Sequence, residues 1–336
     1  MDSSNIIRNK LSKSRDTSSL ASAAMASKHL ASHWMERVLE DNANEEPAGW
    51  RVKLLDTRSR SAVWCVCALL GVYPRSGAAA EACRLLERHF AAILQDWLAR
   101  MDSQRVDPNI WDNYKRQLSK KVPLLMASCV QLAAKMNCAG LQITAKKVKT
   151  TLASTGLNYS IQEVIQAEFD VFRSLGFRVP LYCSLEIALL LAQQPGCGAG
   201  AGGRGAGAGG RCEGAGGRGT LAAAVEAAEL YRSDITRRTL RLASLEHTDP
   251  TSGGTLRTLP LCAGAVAACR QLATGRSSTT HVHNLALLTK NPQLLISCVC
   301  NLIVQAVLSP ESLADGSDDD EENERCSRKR RRSDSS

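Results

Sequence analysis

One segment of the sequence is apolar on almost every side of the helix that it would form. Residues 124–137 read LLMASCVQLAAKMN. On a helix, only Ser128, Gln131 and Lys135 are polar, and their spacing of three and then four residues places them on one narrow line. A helix that is apolar nearly all round lies inside a bundle, surrounded by other helices. The segment therefore predicts a helical bundle with residues 124–137 as its central helix.

The composition agrees with an all-α fold. Aromatic residues make up 4% of the 336 residues, and Ala and Leu are frequent, which favours helices over a β sandwich. The patterns divide the chain into five parts. We predict a disordered N-terminus at 1–16, an N-terminal helix and linker at 17–58, a five-helix domain at 59–181, a second helical region at 182–309 and a disordered acidic and basic tail at 310–336.

Within the five-helix domain, turn signals separate the helices. Residues 59–74 form a predicted buried helix, and residues 78–100 form a long amphipathic one. A polar gap at 101–112 leads into the third helical region, where Pro123 marks either a helix start or a kink. In the second region, helical runs are expected at 183–193, 220–245, 258–275 and 283–309. The Gly-rich residues 196–219 are expected to be a disordered insertion there.

The helix that follows Ser160 has both of its ends marked. Ser160 and Glu163 form an S-x-x-E capping box. At the other end, Gly176 suits the left-handed position after a helix, and Phe177 supplies the hydrophobic contact. The predicted apolar face consists of Ile161, Val164, Ile165, Phe169 and Phe172. Glu168 lies in that face, where it either bends to water at the rim or needs a partner, because desolvating an unpaired carboxylate is costly.

Lys135 allows two interpretations as well. It either complements the dipole at the end of its helix and extends into water, or meets a carboxylate such as Glu168.

The order of four segments resembles the cyclin box, a five-helix domain built around a central third helix. These segments are LLERHF (85–90), LLMASCVQLAAK (124–135), a short helix near 143–154 and QAEFDVFRSLGFRVP (166–180). In cyclins a lysine closes the third helix and a glutamate lies in the fifth, and together they hold the regulatory helix of a cyclin-dependent kinase. The resemblance covers about 59–181 and implies these roles for Lys135 and Glu168. The number of helical runs in residues 182–309 fits a degenerate second cyclin-like bundle, although no motif indicates one there.

A second register is open in the first part of this domain. The string AILQDWL at 92–98 mimics the first-helix motif of cyclins, but it follows LLERHF, which fits the second helix. We prefer the LLERHF register, because the other would leave too little chain for a second helix before residue 124.

Within the cyclin-box family, QLSKKVPLLMASCVQLAAK and EFDVFRSLGFRVPL are most similar to cyclin-like regulators of meiotic crossover. The resemblance implies a non-enzymatic nuclear protein, with the cytoplasm as a second location, that promotes crossover formation from recombination intermediates. The partners that it implies are crossover and recombination proteins at meiotic chromosomes, a cyclin-dependent kinase, and clamp-loader or ubiquitin-pathway proteins.

One departure bears on this function. In cell-cycle cyclins an aromatic residue and two acids follow the lysine, whereas Met136, Asn137 and Cys138 follow it here.

Two alternatives to a meiotic regulator are a conventional cyclin that activates a cyclin-dependent kinase in cell-cycle control and a transcription-factor-type cyclin-fold protein.

No motif indicates catalysis, a cofactor or a metal. The sequence has no G-x-S-x-G, P-loop or H-E-x-x-H motif, and the G-x-G-x-x-G at 198–203 lies in the Gly-rich segment and follows no strand. His281 and His283 could ligate a metal as a pair. We expect them instead in a loop before the last helix, because no Cys or carboxylate cluster joins them. The sequence contains no run of 18 apolar residues, so no membrane span is predicted.

The tail combines opposite charges. An acidic block at 318–324 precedes a basic cluster that is a candidate nuclear-import signal. The cluster consists of Arg328, Lys329, Arg330, Arg331 and Arg332. No direct nucleic-acid binding is expected, because the body of the chain shows no long basic stripe with interleaved aromatic residues.

Overall fold

All elements of the described structure are helices. The computed structural model describes residues 30–42, 55–73, 76–103, 108–137, 141–179, 182–194, 196–197, 215–245 and 256–311, and it has no strand within these ranges. The all-α prediction is therefore confirmed. The predicted disorder at 1–16, most of the Gly-rich segment and Arg328–Arg332 lie outside these residues. Helix α1 (30–42) belongs to a separate compact unit from the other helices, and it overlaps the end of the predicted N-terminal helix.

Five helices form the first bundle, with the predicted central helix at its core. They are α2 (Thr57–Leu69), α3 (Ala78–Ser103), α4 (Pro108–Asn137), α5 (Ala145–Ser154) and α6 (Ile161–Ser174). Helix α4 packs against α2, α3 and α6. Residues 124–134 of α4 are buried, apart from the partly buried Met126. Because so little of this stretch meets water, its apolar residues anchor the other helices of the bundle.

The predicted polar gap at 101–112 is wrong. Helix α3 continues to Ser103 and α4 begins at Pro108, and α4 then runs through Pro123 without ending. The rings of Trp97 and Trp111 lie 4.1 Å apart between their centroids, so the two extended helix ends pack against each other. This contact between helices stabilises a segment whose own sequence is too polar to predict one.

The second bundle also surrounds one buried helix. Its helices are α7 (Ser184–Gln193), α8 (Ala215–Leu230), α9 (Arg232–Leu245), α10 (Thr258–Thr274), α11 (Thr279–Thr289) and α12 (Gln293–Leu308). Helix α10 packs against α7, α8, α11 and α12, and its residues 258–269 are all buried. A short helix, α11, lies between the central helix and the last one, as α5 does in the first bundle.

Three boundaries differ from the sequence prediction in this bundle. The expected run at 220–245 is two helices, α8 and α9, separated by a turn at Tyr231. Helix α8 begins at Ala215, inside the segment that was predicted as insertion, because its later turns bury Ala and Val side chains that hold the first turn in place. The expected run at 283–309 is two helices, α11 and α12, since Lys290 turns the backbone into the left-handed region at φ 54°. No single helix of the described ranges has the length and apolar character of a membrane span, and only the α11–α12 pair, bent by 119°, meets both criteria.

Helices α10 and α12 approach closely at Gly264. A Cβ atom at this position would lie 2.3 Å from Cγ1 of Val299, which is far inside van der Waals contact. Glycine costs about 1 kcal/mol relative to alanine inside a helix. The close contact therefore explains why this helix carries a glycine in its buried middle.

The two bundles meet at a buried arginine on α2. Arg60 is 0% exposed, and its Nη1 donates to the backbone carbonyl of Glu229 on α8 at 2.8 Å. Its Nη2 donates to the carboxylate of Glu87 on α3. Its Nε donates to the carbonyl of Leu55 at 3.2 Å. One side chain thus joins three segments of the chain, and its charge is balanced by carboxylates from both bundles.

Glu229 completes this junction. Its Oε2 lies 3.5 Å from Nη1 of Arg60 and 3.5 Å from Nη1 of Arg232, and its Oε1 accepts from the hydroxyl of Ser184. Burial alone would raise the pKa of the Glu229 carboxyl, but Arg232, Arg60 and Ser184 outweigh burial and lower the pKa. Beside it, the indole of Trp64 donates to Glu226 at 3.1 Å.

Replacing Arg60 with alanine should strongly destabilise the protein. The variant leaves the buried carboxylate of Glu87 without its cation and leaves Glu229 with only Arg232 and Ser184. Breaking a buried ion pair in this way typically costs about 3–5 kcal/mol. Chemical denaturation of the wild type and the variant would measure this loss in the free energy of unfolding. Arg58→Ala, an exposed arginine on the same helix, should change the free energy of unfolding by no more than about 0.5 kcal/mol. Equal effects would contradict the junction role.

Gly264→Ala should destabilise the protein by about 1–3 kcal/mol, because the added methyl group overlaps Val299. The cost should be smaller when Val299 is already alanine, since the overlapping methyl groups are then absent. A double-mutant cycle on thermal or chemical unfolding measures this coupling. Additive effects of the two changes would contradict the proposed contact.

Candidate partner-binding site

The two predicted caps hold α6 in place. Oγ of Ser160 accepts from the backbone N–H of Glu163 at 3.1 Å, and the Glu163 carboxylate accepts from the N–H of Ser160 at 2.7 Å. At the other end, the N–H of Phe177 donates to the carbonyl of Phe172 at 3.1 Å, and Gly176 adopts φ 62°. Both the capping box and the glycine-terminated end are confirmed. Because each end has a fixed stop, the rotation of α6 and the face that it exposes are fixed too.

Phe177 is held in an unusual backbone conformation. Its φ is 60°, a value that costs energy for any residue with a Cβ atom. Its ring packs edge-on against Phe172, with centroids 5.2 Å apart, and lies 6.2 Å from Phe169. These aromatic contacts keep the exposed Phe177 ring next to α6.

The structure brings Lys135 and Glu168 together. Lys135 lies in the last turn of α4, and its Nζ donates to the carboxylate of Glu168 in the middle of α6. The Lys135 side chain is 49% exposed, and that of Glu168 is 16% exposed. The lysine ammonium has three donors, so Nζ can bond a further acceptor from outside while it keeps Glu168.

A row of large apolar side chains flanks this pair on the surface. We call Met136, Ile161, Ile165, Phe169 and Phe177 the apolar strip, and each of them is between 43% and 54% exposed. Ile161, Ile165 and Phe169 are four residues apart on one line of α6. Met136 follows Lys135 directly. Large apolar side chains grouped in this way on a surface mark an interaction site.

The predicted apolar face of α6 is partly wrong. The residues of α6 that are buried in the core are Val164, Ala167 and Val171, and Phe172 is partly buried against it. Ile161, Ile165 and Phe169, predicted as core residues, lie on the surface instead. Apolar residues at helical spacing can belong to one wide buried stripe, or to a narrow buried stripe with an exposed apolar face beside it. The sequence pattern does not distinguish these two arrangements, because both follow the helical period.

The end of α4 differs from the cell-cycle pattern in a visible way. The side-chain amide of Asn137 donates to the carbonyl of Ala133 at 3.0 Å, so it closes the helix on which Lys135 lies. Met136 stands where cell-cycle cyclins carry an aromatic residue, and it is exposed. Cys138 lies outside the described residues.

His89 on α3 contacts the last turn of α6. Its Nδ1 lies 2.6 Å from Oγ of Ser174 in the last turn of α6. Burial is the main cause that lowers the pKa of His89, to about 4. The sequence analysis did not single out this histidine. Its position in LLERHF, three and four residues after the apolar Leu86 and Leu85, was the available signal.

LLERHF lies in α3, the second helix of the first bundle, as the preferred register requires, and AILQDWL follows it on the same helix.

The remaining candidate residues do not converge on a site. His281 and His283 lie in helix α11 rather than in a loop, so that expectation is wrong. His281 contacts Arg270 and the carbonyl of Gly196, whereas Nδ1 of His283 lies 3.2 Å from Gln293. In the described parts of the chain, no group of three or more His, Cys, Asp or Glu side chains could hold a metal ion.

Two curated proteins share part of this sequence. Human cyclin N-terminal domain-containing protein 1 is 36% identical over 80 residues, which is 24% of each chain. Mouse cyclin N-terminal domain-containing protein 1 is 30% identical over 83 residues, or 25% of each chain. Over this fragment, the chain is cyclin-like. The match spans about a quarter of the length of these relatives, and no protein-family model matches the chain.

The stability of this cyclin-like bundle should depend on pH through His89. The unfolded chain takes up a proton at the ordinary histidine pKa of about 6.5, but the folded protein does so only at about 4. The contribution of His89 to the free energy of unfolding is therefore full above pH 6.5 and falls as the pH decreases towards 4. The loss should reach about 3 kcal/mol.

Urea unfolding at several pH values between 4 and 7.5 would measure this dependence. His89→Gln keeps a hydrogen-bonding side chain beside Ser174 but does not titrate, so its stability should fall less steeply with acid. Parallel pH profiles for the wild type and this variant would show that His89 is not responsible. The comparison also cancels the contribution of His281, whose pKa is lowered too, chiefly by burial.

Proposed function

We propose that this protein is a non-enzymatic, cyclin-like regulator that binds a helix of a partner protein at α6 and the end of α4. The salt bridge between Lys135 and Glu168, with the apolar strip beside it, is the observation that supports this proposal most. Apolar side chains four residues apart can receive the apolar face of an amphipathic helix. The charged pair can then bond polar groups at the end or side of that helix.

The proposed process is the formation of meiotic crossovers from recombination intermediates, in the nucleus. Support for it comes from the resemblance of residues 117–135 and 168–181 to meiotic cyclin-like regulators, and from the partial similarity to the two curated proteins. On this proposal, the partners are crossover and recombination proteins at meiotic chromosomes. A cyclin-dependent kinase and clamp-loader or ubiquitin-pathway proteins are further candidates.

A conventional kinase activator is the second proposal, because the resemblance to cyclins implies kinase-binding roles for Lys135 and Glu168 and the two residues lie together. The sequence after Lys135 counts against it. Met136 and Asn137 replace an aromatic residue and an acid, and the Asn137 amide is already bonded to Ala133. A purified complex of this chain with a cyclin-dependent kinase would phosphorylate a substrate if the second proposal is correct, and would not if the first is.

The double variant Lys135→Ala/Glu168→Ala should lose the partner that binds α6. Removing groups from a buried charged contact costs about 2–5 kcal/mol of binding free energy, enough to eliminate recovery in a pull-down. The measurement is affinity purification from meiotic tissue with the wild-type and variant chains, followed by identification of recombination proteins and cyclin-dependent kinases by mass spectrometry.

The control is Arg37→Ala/Glu40→Ala, which removes an exposed ion pair from α1 and should leave every partner bound. If recombination proteins are recovered equally with wild type and double variant, they do not dock at α6. If a kinase is recovered with the wild type and lost with the double variant, the kinase-activator proposal gains support. Recovery of no kinase in any sample contradicts that proposal.

A further inference from the structure

The positive charge of this protein is concentrated on two helices of the first bundle. Helices α4 and α5 carry eight Lys and Arg residues, five in α4 and three in α5, against a single acid, Asp112. These helices therefore supply a net charge of +7 in a chain whose total is +9. Lys135 belongs to the partner-binding site. We call the other seven the basic face, and they are Lys115, Arg116, Lys120, Lys121, Lys146, Lys147 and Lys149.

Two contacts bring the α4 segment 115–121 close to the C-terminal end of α5. Oη of Tyr159, in the segment after α5, donates to the backbone carbonyl of Lys120 at 3.0 Å. Leu152 and Thr155, at the end of α5, line a shared apolar recess with Pro123 of α4. At about 1.5 Å per residue, the α4 segment is about 10 Å long and α5 about 15 Å long.

Few charges of the basic face are neutralised by a salt bridge, although Arg116 attracts Asp112 and Lys121 attracts Glu163 electrostatically. All seven side chains are exposed. Nζ of Lys115 lies 2.7 Å from Asp112, and the other six form no salt bridge with the part of the chain that the structure describes. Like charges at this density repel one another, so the face is attractive to a polyanion and costs energy without one.

The position of two lysines strengthens this argument. Lys146 and Lys147 lie in the first turn of α5, where the helix dipole is positive and cations are therefore unfavourable. A helix N-terminus with added lysines is suited to phosphate, since backbone N–H groups, dipole and side chains attract the same anion. These lysines therefore contribute little to the stability of α5 and much to its attraction for anions.

The side chains between the charges indicate the kind of polyanion. The exposed residues of α5 other than lysine are Thr150, Ala153 and Ser154, and those of α4 between 113 and 121 include Asn113, Gln117 and Ser119. Hydroxyl and amide groups beside Lys and Arg are typical of contacts to nucleic-acid phosphates. A protein partner would instead need large apolar or aromatic anchors, which these surfaces lack.

The aromatic residues of α4 are engaged elsewhere. Trp111 packs on Trp97 of α3 and lies 6.0 Å from the ring of Tyr114, and Lys115 lies 5.5 Å from the Trp111 ring. Rings that are packed on one another are poor platforms for unstacked bases, which single-strand binding requires. This arrangement favours a duplex, whose phosphates can be contacted without opening the bases.

We propose that the basic face of α4 and α5 binds the phosphate backbone of a nucleic-acid duplex without reading its sequence. The expectation of no nucleic-acid binding rested on the lack of one long basic stripe in the sequence. In the fold, the two basic segments, about 25 residues apart in sequence, come close to each other where the α4 segment reaches the C-terminal end of α5. It is separate from Lys135, Glu168 and the apolar strip, so it does not rest on the proposed function.

The test is binding of the full chain to a fluorescent 20-base-pair duplex, followed by anisotropy at several salt concentrations. The variant Lys146→Gln/Lys147→Gln/Lys149→Gln should bind at least about tenfold more weakly at low salt. Its slope of log affinity against log salt should be smaller by about 3, because each lost phosphate contact removes about one unit. The variant Arg116→Gln/Lys120→Gln/Lys121→Gln should behave in the same way.

Two further variants test whether binding depends on the basic face or on positive charge anywhere in the chain. Arg58→Gln/Arg276→Gln/Lys290→Asn removes the same charge from exposed positions elsewhere and should retain the wild-type slope. Arg330→Gln/Arg331→Gln/Arg332→Gln removes charge from the tail cluster and should leave the contribution of the basic face in place. Circular dichroism should show that all four variants remain folded, since the substituted body residues are exposed.

Four results would overturn the proposal. The first is a wild-type slope for both basic-face variants. The second is complete loss of binding in the tail variant, which would assign the affinity to residues 330–332. The third is stronger binding of a peptide with the sequence of the acidic block 318–324 than of the duplex, which would assign the face to an acidic protein segment. Tighter binding of a single strand than of the duplex would contradict the duplex assignment.

Discussion

A single buried guanidinium determines how the two halves of this molecule fit together. Arg60 is cut off from water, so its charge can remain inside only while Glu87 from one bundle and Glu229 from the other are both in place. Helix α2 therefore belongs energetically to both bundles. Everything that the first bundle exposes, including the partner-binding site and the basic face, is oriented relative to the second bundle by this junction.

The site itself lies where the central helix of the first bundle reaches the surface. The buried stretch of α4 ends at Ala134, and the next residue, Lys135, is half exposed. Glu168 meets it because two caps fix α6 along its axis and because His89 holds the last turn through Ser174. The charged pair is thus a consequence of how core helices end. The apolar strip lies beside it because α6 buries Val164, Ala167, Val171 and part of Phe172 and leaves its other large apolar residues outside.

Local signals in the sequence predicted some of this structure and missed the rest for identifiable reasons. The caps of α6 and the central helix could be predicted, because each follows from a few neighbouring residues. The Lys135–Glu168 pair was reached through family resemblance, since the two residues are 33 positions apart. Arg60 was missed because its partners lie 27 and 169 residues away. The extended ends of α3 and α4 were missed because a tryptophan contact between helices, and not local propensity, stabilises them.

The small buried face of α6 has a consequence for how firmly that helix is held. Val164, Ala167 and Val171 together remove little apolar surface from water, while Ile161, Ile165 and Phe169 leave much of theirs in contact with it. A ligand that covers the larger residues binds the folded form alone, and so it adds its own binding free energy to the stability of the bundle. Such a ligand would therefore also suppress the local openings through which the backbone amides of α6 exchange with solvent.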